Sequence, residues 1–227
     1  LSKISIIIPT INEANNLPLL LSDLSSIQKE GEIIIVDCGS EDKTIDIANI
    51  YGAKVFISKE KNRGLQLDMG AKNSKGDWLI FLHADTRLTH DWFRKTNSFL
   101  KESNNSIYYF KFKINHKKII YRVLEILVNI RSKYFKQPYG DQGLIIHRNN
   151  YFKNNGFRKI PLMEDVDFLR RLNNKKDLKQ LNSPIFISSR KWERTNIFLQ
   201  AIKNWHFRRR WLNGESLESI YSDYYKK

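Results

Sequence analysis

Apolar residues in this chain follow two periods. Ile4-Ser5-Ile6-Ile7-Ile8, Ile33-Ile34-Ile35-Val36 and Trp78-Leu79-Ile80-Phe81-Leu82 are short apolar runs, the pattern of strands buried on both faces in a parallel sheet. Each run ends in polar or turn-forming residues: Pro9-Thr10, Asp37 and His83-Ala84-Asp85. Leu17, Leu20, Leu21, Leu24 and Ile27 recur at helical spacing after the first. After the second, Ser40 predicts a helix cap with Glu41 and Asp42 in the first turn, and Gly52 closes that helix. Lys54-Val55-Phe56-Ile57 predicts a third strand, and Asn62-Arg63-Gly64 opens a helix that runs to Ser74 and stops at Gly76. This alternation through residue 88 predicts a doubly wound α/β sheet.

Beyond residue 88 the pattern predicts a helix over 91–100, an alternating strand over 107–114 and an amphipathic helix over 119–135. Strands at 142–147 and 185–188 and a helix over 164–172 follow. The segment 196–212 mixes Phe198, Leu199, Ile202, Trp205, Phe207 and Trp211 with Lys203, Arg208, Arg209 and Arg210. No internal repeat or low-complexity linker interrupts the 227 residues, a length that suits one domain with a complete core.

Composition narrows the partners. A hydrophobic content of 41% with 28% charged residues excludes a disordered chain. The formal net charge of +15 implies attraction to anions: nucleotides, nucleic acid or an acidic membrane surface. One cysteine, Cys38, excludes an internal disulfide framework, fits a reducing compartment and reads as a buried structural thiol. No stretch approaches the roughly 20 apolar residues that span a bilayer. Leu1 to Ile8 enters a strand pattern without a charged lead, so a cytoplasmic location is expected.

The chemistry is expected where the strands end. His83 and Asp85 are two residues apart, so if strand geometry persists both point to one face, just past a strand's carboxyl edge. In open α/β sheets that edge binds ligands. A carboxylate there suits Mg²⁺ or Mn²⁺ and the oxygens of a phosphate. Asp37 ends the second strand in the same way. Glu164, Asp165 and Asp167 are readable as acids in a helix's first turn, as a general base with its neighbours, or as the paired acids of a glycoside hydrolase; spacing leaves these open.

Taken in order, several segments resemble the family-2 glycosyltransferases of GT-A fold. They are Ser5-Ile6-Ile7-Ile8-Pro9-Thr10-Ile11-Asn12-Glu13, Val36-Asp37-Cys38-Gly39-Ser40-Glu41-Asp42, Asn62-Arg63-Gly64, Phe81-Leu82-His83-Ala84-Asp85 and Met163-Glu164-Asp165-Val166-Asp167. Pro138-Tyr139-Gly140-Asp141-Gln142-Gly143 and Arg190-Lys191-Trp192-Glu193 extend the likeness to a small bacterial subgroup of uncharacterised members, over nearly the whole chain. The resemblance implies a GT-A-type, mostly parallel sheet flanked by helices with a helical carboxyl-terminal region. It implies one domain over 1–227, with a nucleotide-sugar-binding half at 1–106 and an acceptor-binding half at 107–227 that ends in a basic aromatic helix.

It also implies roles. Pro9, Thr10, Asn12 and Glu13 line a base and ribose pocket; Asp37 contacts the base or ribose, with Gly39 and Ser40 beside it. Arg63 reaches the phosphates, with Gln66 one turn on as a weaker candidate. His83-Ala84-Asp85 stands where the family has Asp-X-Asp, so this sequence departs at the first carboxylate. Asp85 remains the implied metal ligand, for Mn²⁺ or Mg²⁺, and His83 contacts the donor or packs. Asp165 matches the catalytic base and Glu164 its orienting neighbour. Asp141, Gln142, Arg190 and Trp192 are implied acceptor contacts.

The implied reaction is inverting transfer of a sugar from a UDP- or GDP-sugar to an acceptor hydroxyl. A lipid-linked acceptor and peripheral contact of 196–212 with the inner face of a membrane fit the basic aromatic segment. A core-packing helix with an exposed basic face is the other reading of that segment. A nucleotidyltransferase is disfavoured because no glycine-rich phosphate loop lies near residue 10. The remaining alternatives are a catalytically silent nucleotide-sugar-binding regulator, which His83 keeps open, and a basic nucleic-acid-binding protein, which the net charge and the interleaved Trp, Tyr and Arg suggest.

Overall fold

A computed structural model describes residues 3–27, 30–100, 105–172, 174–188 and 197–225. Eight strands form one sheet in the order β3-β2-β1-β4-β7-β6-β8-β5. They are β1 (Ile4–Thr10), β2 (Gly31–Asp37), β3 (Lys54–Ile57), β4 (Trp78–Phe81), β5 (Thr86–Leu88), β6 (Ile107–Ile114), β7 (Leu144–His147) and β8 (Leu178–Ile187). The first four are mutually parallel, as the unbroken apolar runs predict. Past β4 the sheet mixes directions: β7 runs antiparallel to β4 and β6, β5 antiparallel to β8, and β6 parallel to β8.

Alternation along β1 divides the core. Ile4, Ile6 and Ile8 face one layer, built with Leu17, Leu20 and Leu21 of α1 (Leu17–Asp23), Ala48 of α2 (Thr44–Ile50), Trp92 of α4 (Trp92–Leu100) and Leu124 of α5 (Ile119–Tyr134). Ile7 faces the other, with Leu67 and Ala71 of α3 (Arg63–Asn73), Tyr151 of α6 (Arg148–Lys153) and Phe168 of α7 (Glu164–Arg171). Helices on both faces are what a parallel sheet needs to hide its apolar surfaces. Gly70 lets α3 sit close, since a Cβ there would lie 2.4 Å from Cγ2 of Ile7. Two helices close the described chain, α8 (Ile197–Leu212) and α9 (Leu217–Tyr225).

Four local expectations are corrected. α2 starts at Thr44 rather than at Ser40, because the Ser40 hydroxyl donates to Asp37 (2.5 Å) instead of capping a helix. β4 ends at Phe81 and residues 84–85 form a turn, so strand geometry does not carry through His83 and Asp85. β7 begins at Leu144, leaving Asp141 and Gln142 in a single 3-10 turn, and β8 starts at Leu178, earlier than its apolar end suggests.

Candidate active site

The carboxyl ends of β1, β2 and β4 are neighbours in the sheet, so the segments after them meet at one edge. Asp37, at the end of β2, organises this edge. It is 0% exposed and takes four donors: the Thr10 hydroxyl (2.8 Å), the Gly39 and Ser40 amides (2.9 and 2.7 Å) and the Ser40 hydroxyl. A buried carboxylate so supplied is well compensated for lost hydration.

The loops that follow β1 and β2 are stitched together. Asn12, with φ of 53°, donates its amide to the Ser40 hydroxyl (2.8 Å) and accepts from the Glu41 amide (2.9 Å) on its side-chain oxygen. The left-handed backbone is one that asparagine tolerates better than most residues. Glu13 holds Thr44 through its amide and Asn16 through its carboxylate. Gln66 is buried, and its amide group donates to the carbonyls of Thr10 (3.1 Å) and Val36 (2.7 Å), clamping the ends of β1 and β2. Pro9 is partly exposed at this edge, Gly39 is exposed, and Ala84 is buried.

A cleft of about 760 Å³ opens beside this edge, within the size range of small-molecule sites. Arg63, His83, Asp85, Asp141 and Asp165 all line it. The side chains converge although they come from four segments: the start of α3, the turn after β4, the 3-10 turn before β7 and the start of α7. Asn62 caps α3 by accepting from the Leu65 amide (2.9 Å), which holds Arg63 in the first turn. Met163, at φ 62°, turns the chain sharply into α7. That places Glu164 and Asp165 in its first turn, where acids suit the helix dipole.

The two acids differ. Glu164 is 3% exposed and pairs with the Arg63 guanidinium. Burial pushes its pKa up; Arg63 opposes this and the neighbouring Asp165 adds to it. Asp165 faces the cleft, its carboxylate oriented by the amides of Gly140 (2.6 Å) and Val166 (2.8 Å). A methyl on Gly140 would sit 3.2 Å from Nε2 of His83 and 3.3 Å from Oδ2 of Asp165, so these two groups border the same small space.

Three sequence candidates are placed differently from expectation. Asp37 and Gln66 build the loop scaffold from behind, with their polar atoms already engaged. Gln142 is 0% exposed, accepts from the Ser132 hydroxyl (2.5 Å) and donates to the Phe110 carbonyl (3.3 Å), so it fastens α5 to β6 instead of facing the cleft. Arg190 and Trp192 lie outside the described residues.

The structure adds residues that the sequence reading did not single out. Tyr139 lines the cleft with Arg131 stacked 3.6 Å from its ring centre, while Arg208 donates to its hydroxyl (3.1 Å). Arg131 from α5 and Arg208 from α8 therefore make one wall cationic. Only the run of arginines at 208–210 hinted at this, and those side chains diverge. Arg209 stacks on Trp205, and Arg210 pairs with Glu215 and Asp223. Phe207 of α8 is buried against Tyr224, while Leu199, Ile202, Trp205 and Leu212 are exposed and the basic side chains are divided among separate partners.

A divalent cation suits this cleft only in part. Asp85 offers a hard oxygen donor, but no group of three His, Cys, Asp or Glu side chains among the described residues is placed to hold a metal ion. Mg²⁺-type sites of one or two carboxylates completed by substrate phosphates have this sparse protein donor set. The residues fit a cation shared with a bound diphosphate.

Residues 5–164 match the family model described as glycosyl transferase family 2. A glycosyltransferase of PGL/p-HBAD biosynthesis from Mycobacterium bovis is 38% identical over 91 residues, 37% of this chain and 36% of its own. The 4,4'-diaponeurosporenoate glycosyltransferase of Staphylococcus haemolyticus is 38% identical over 96 residues, 39% of this chain and 26% of its own. The chain thus aligns with about a third or less of the length of these relatives. S. aureus TarS in complex with UDP superposes with a TM-score of 0.65 at 20% identity, over 82% of this chain and 60% of that one. Glucosyl-3-phosphoglycerate synthase from Mycobacterium tuberculosis, in complex with Mn²⁺ and UDP-glucose, does so with a TM-score of 0.59 at 16% identity, over 82% and 70%. Likeness at these identities shows the fold. No helix among the described residues is long and apolar enough to cross a membrane. The family model covers well over half of the sequence, and the chain belongs to glycosyl transferase family 2.

Proposed function

We propose that the chain transfers a sugar from a nucleoside-diphosphate sugar, UDP- or GDP-linked, to an acceptor hydroxyl with inversion, Asp165 acting as general base. The observation that carries this is the meeting of Asp85, Arg63 and Asp165 on one cleft at the carboxyl edge of the sheet. The loops of residues 9–13 and 39–40 frame the base and ribose, with Pro9, Thr10, Asn12, Glu13, Gly39 and Ser40 as the contacts and Asp37 and Gln66 holding their shape. Arg63, anchored by Glu164, serves the diphosphate through its remaining donors. The half over 1–106 thus receives the donor and the half over 107–227 the acceptor, with Asp141, Arg190 and Trp192 on the acceptor side.

Two amides fix the Asp165 carboxylate yet leave lone pairs for a hydroxyl. Asp165 takes the acceptor's proton as the acceptor oxygen bonds to the anomeric carbon. The bond from that carbon to the diphosphate breaks, and the nucleoside diphosphate leaves with the electron pair. One displacement inverts the configuration. Asp85 would hold Mn²⁺ or Mg²⁺, which when bound supplies positive charge against the departing diphosphate. His83 and Ala84 border the donor. The acceptor is read as lipid-linked and the protein as peripheral at the cytoplasmic face of a membrane, because Trp205, Arg209 and Leu212 of α8 form part of the cleft wall.

Asp165→Asn tests the base. Transfer should fall by about 10²–10⁴-fold, the usual share of a positioned base. UDP affinity, read by calorimetry, should stay within about twofold, since the base is assigned to the acceptor hydroxyl and not to the nucleotide. Turnover near the wild-type rate would reassign the base.

A further inference from the structure

Helix α5 turns several polar side chains toward the sheet. They satisfy the backbone of β6 beyond the short stretch, Ile107 and Tyr108, at which that strand pairs with β7. Asn129 accepts from the Phe112 amide (3.0 Å) and donates to the Phe112 carbonyl (2.9 Å). Glu125 accepts from the Ile114 amide (2.7 Å), and Arg122 donates to the Ile114 carbonyl (2.9 Å). The helix thus covers a strand edge with polar groups.

Tyr121 and Leu124 are buried beside these polar groups, with Ile120 and Val128 packed against the core, and a second set of apolar residues points outward. Ile119 is 81% exposed, Ile126 59%, Leu127 54% and Tyr134 71%, with Val123 and Ile130 between them also exposed. At 100° per residue these six positions fall in one continuous stripe along the helix. Phe135 extends it past the carboxyl end at 66% exposed. Single exposed apolar residues are ordinary, but a stripe of this length marks a contact surface.

Charge decides the occupant. Exposed Lys117 and Lys118 stand at one end of the stripe and exposed Lys133 at the other. The only acid in the helix is Glu125, which is buried and paired with Arg122. An apolar stripe ringed by cations, with no exposed carboxylate, complements an anionic lipid surface. The side of α5 next to the stripe lines the cleft through Leu124, Val128 and Arg131, and exposed Trp205 stands on the α8 wall. We propose that the outward face of α5, with Trp205, docks on an anionic bilayer so that the cleft opens at the lipid surface. This deepens the lipid-linked acceptor reading and moves the principal membrane contact from α8 to α5.

Co-sedimentation with vesicles tests it without donor or acceptor, so its result and that of Asp165→Asn are independent. The 227-residue chain should bind phosphatidylcholine vesicles that contain phosphatidylglycerol, bind pure phosphatidylcholine far less, and lose affinity as salt rises. Ile126→Glu with Ile130→Glu should weaken binding by about a hundredfold, about tenfold for each removed apolar side chain. Thermal melting and UDP affinity should be unchanged, because both side chains already face solvent. Lys117→Glu with Lys118→Glu, at the helix entrance, should weaken binding to anionic vesicles alone. Absence of vesicle binding by the wild type would overturn the proposal, as would equal binding by the isoleucine variant. So would a dimer, seen by sedimentation velocity, that the isoleucine variant splits, because a second copy would then cover the stripe.

Discussion

Glu164 and Asp165 are adjacent in sequence and occupy opposite environments, and that difference is measurable. Glu164 is buried beside Arg63 and its pKa is raised, chiefly by burial. The folded state therefore binds its proton more tightly than the unfolded chain does. The stability it contributes is fully present below its ordinary value of 4.5 and is lost as pH rises through the folded value. Glu164→Gln keeps a hydrogen-bonding oxygen for Arg63 and removes the titration. The melting temperature of this variant, relative to the wild type, should rise as pH goes from 4.5 toward 7. A parallel pair of pH profiles would show that Glu164 keeps an ordinary pKa. Neither the burial nor the Arg63 pairing was readable from the sequence, because the two residues lie 101 positions apart.

At the scale of elements, the parallel half was legible because its strands are apolar on both faces, so Ile33-Ile34-Ile35-Val36 admits no other frame. Loops were harder: Ser40 has the side chain of a helix cap, and a local preference of that kind lost to the four donors required by buried Asp37. Helix α5 was legible as amphipathic but not in its orientation. Periodicity says that one face is apolar; it does not say that Asn129, Glu125 and Arg122 are needed against β6. Asn129→Ala tests that assignment. It removes two bonds to Phe112, one to the Glu125 carbonyl and one accepted from the Gln180 side chain (2.8 Å), and leaves partly buried backbone groups short of partners. Chemical denaturation should show a loss of about 2–3 kcal/mol. Ile126→Ser, at a solvent-exposed position of the same helix, should change stability by less than about 0.5 kcal/mol. The reverse ranking would mean that Ile126, and not Asn129, is packed inward.

For the whole molecule, the site is assembled by the sheet, which brings together side chains that no sequence window shares. Asp85 and Asp165 were legible as candidates because each sits in a short motif. Arg131 and Arg208 were not legible as cleft residues, since a cationic wall made by two distant helices has no local signature. The same assembly sets how a cation is held. Asp85 reaches the cleft without two further described His, Cys, Asp or Glu side chains placed to complete a metal site, so under the proposed function a cation there would need oxygens from the diphosphate. Mn²⁺ and UDP would then be ligands of each other as much as of the protein, and their binding free energies would be linked. Calorimetry should show weak Mn²⁺ binding to the chain alone and an affinity higher by about 5–150-fold when UDP is saturating, with the same factor gained by UDP when Mn²⁺ is present. Asp85→Ala should bring that factor close to one while UDP alone still binds through the loops after β1 and β2. Tight Mn²⁺ binding without nucleotide would mean that the protein completes the site by itself, and an unchanged factor in Asp85→Ala would place the cation elsewhere in the cleft.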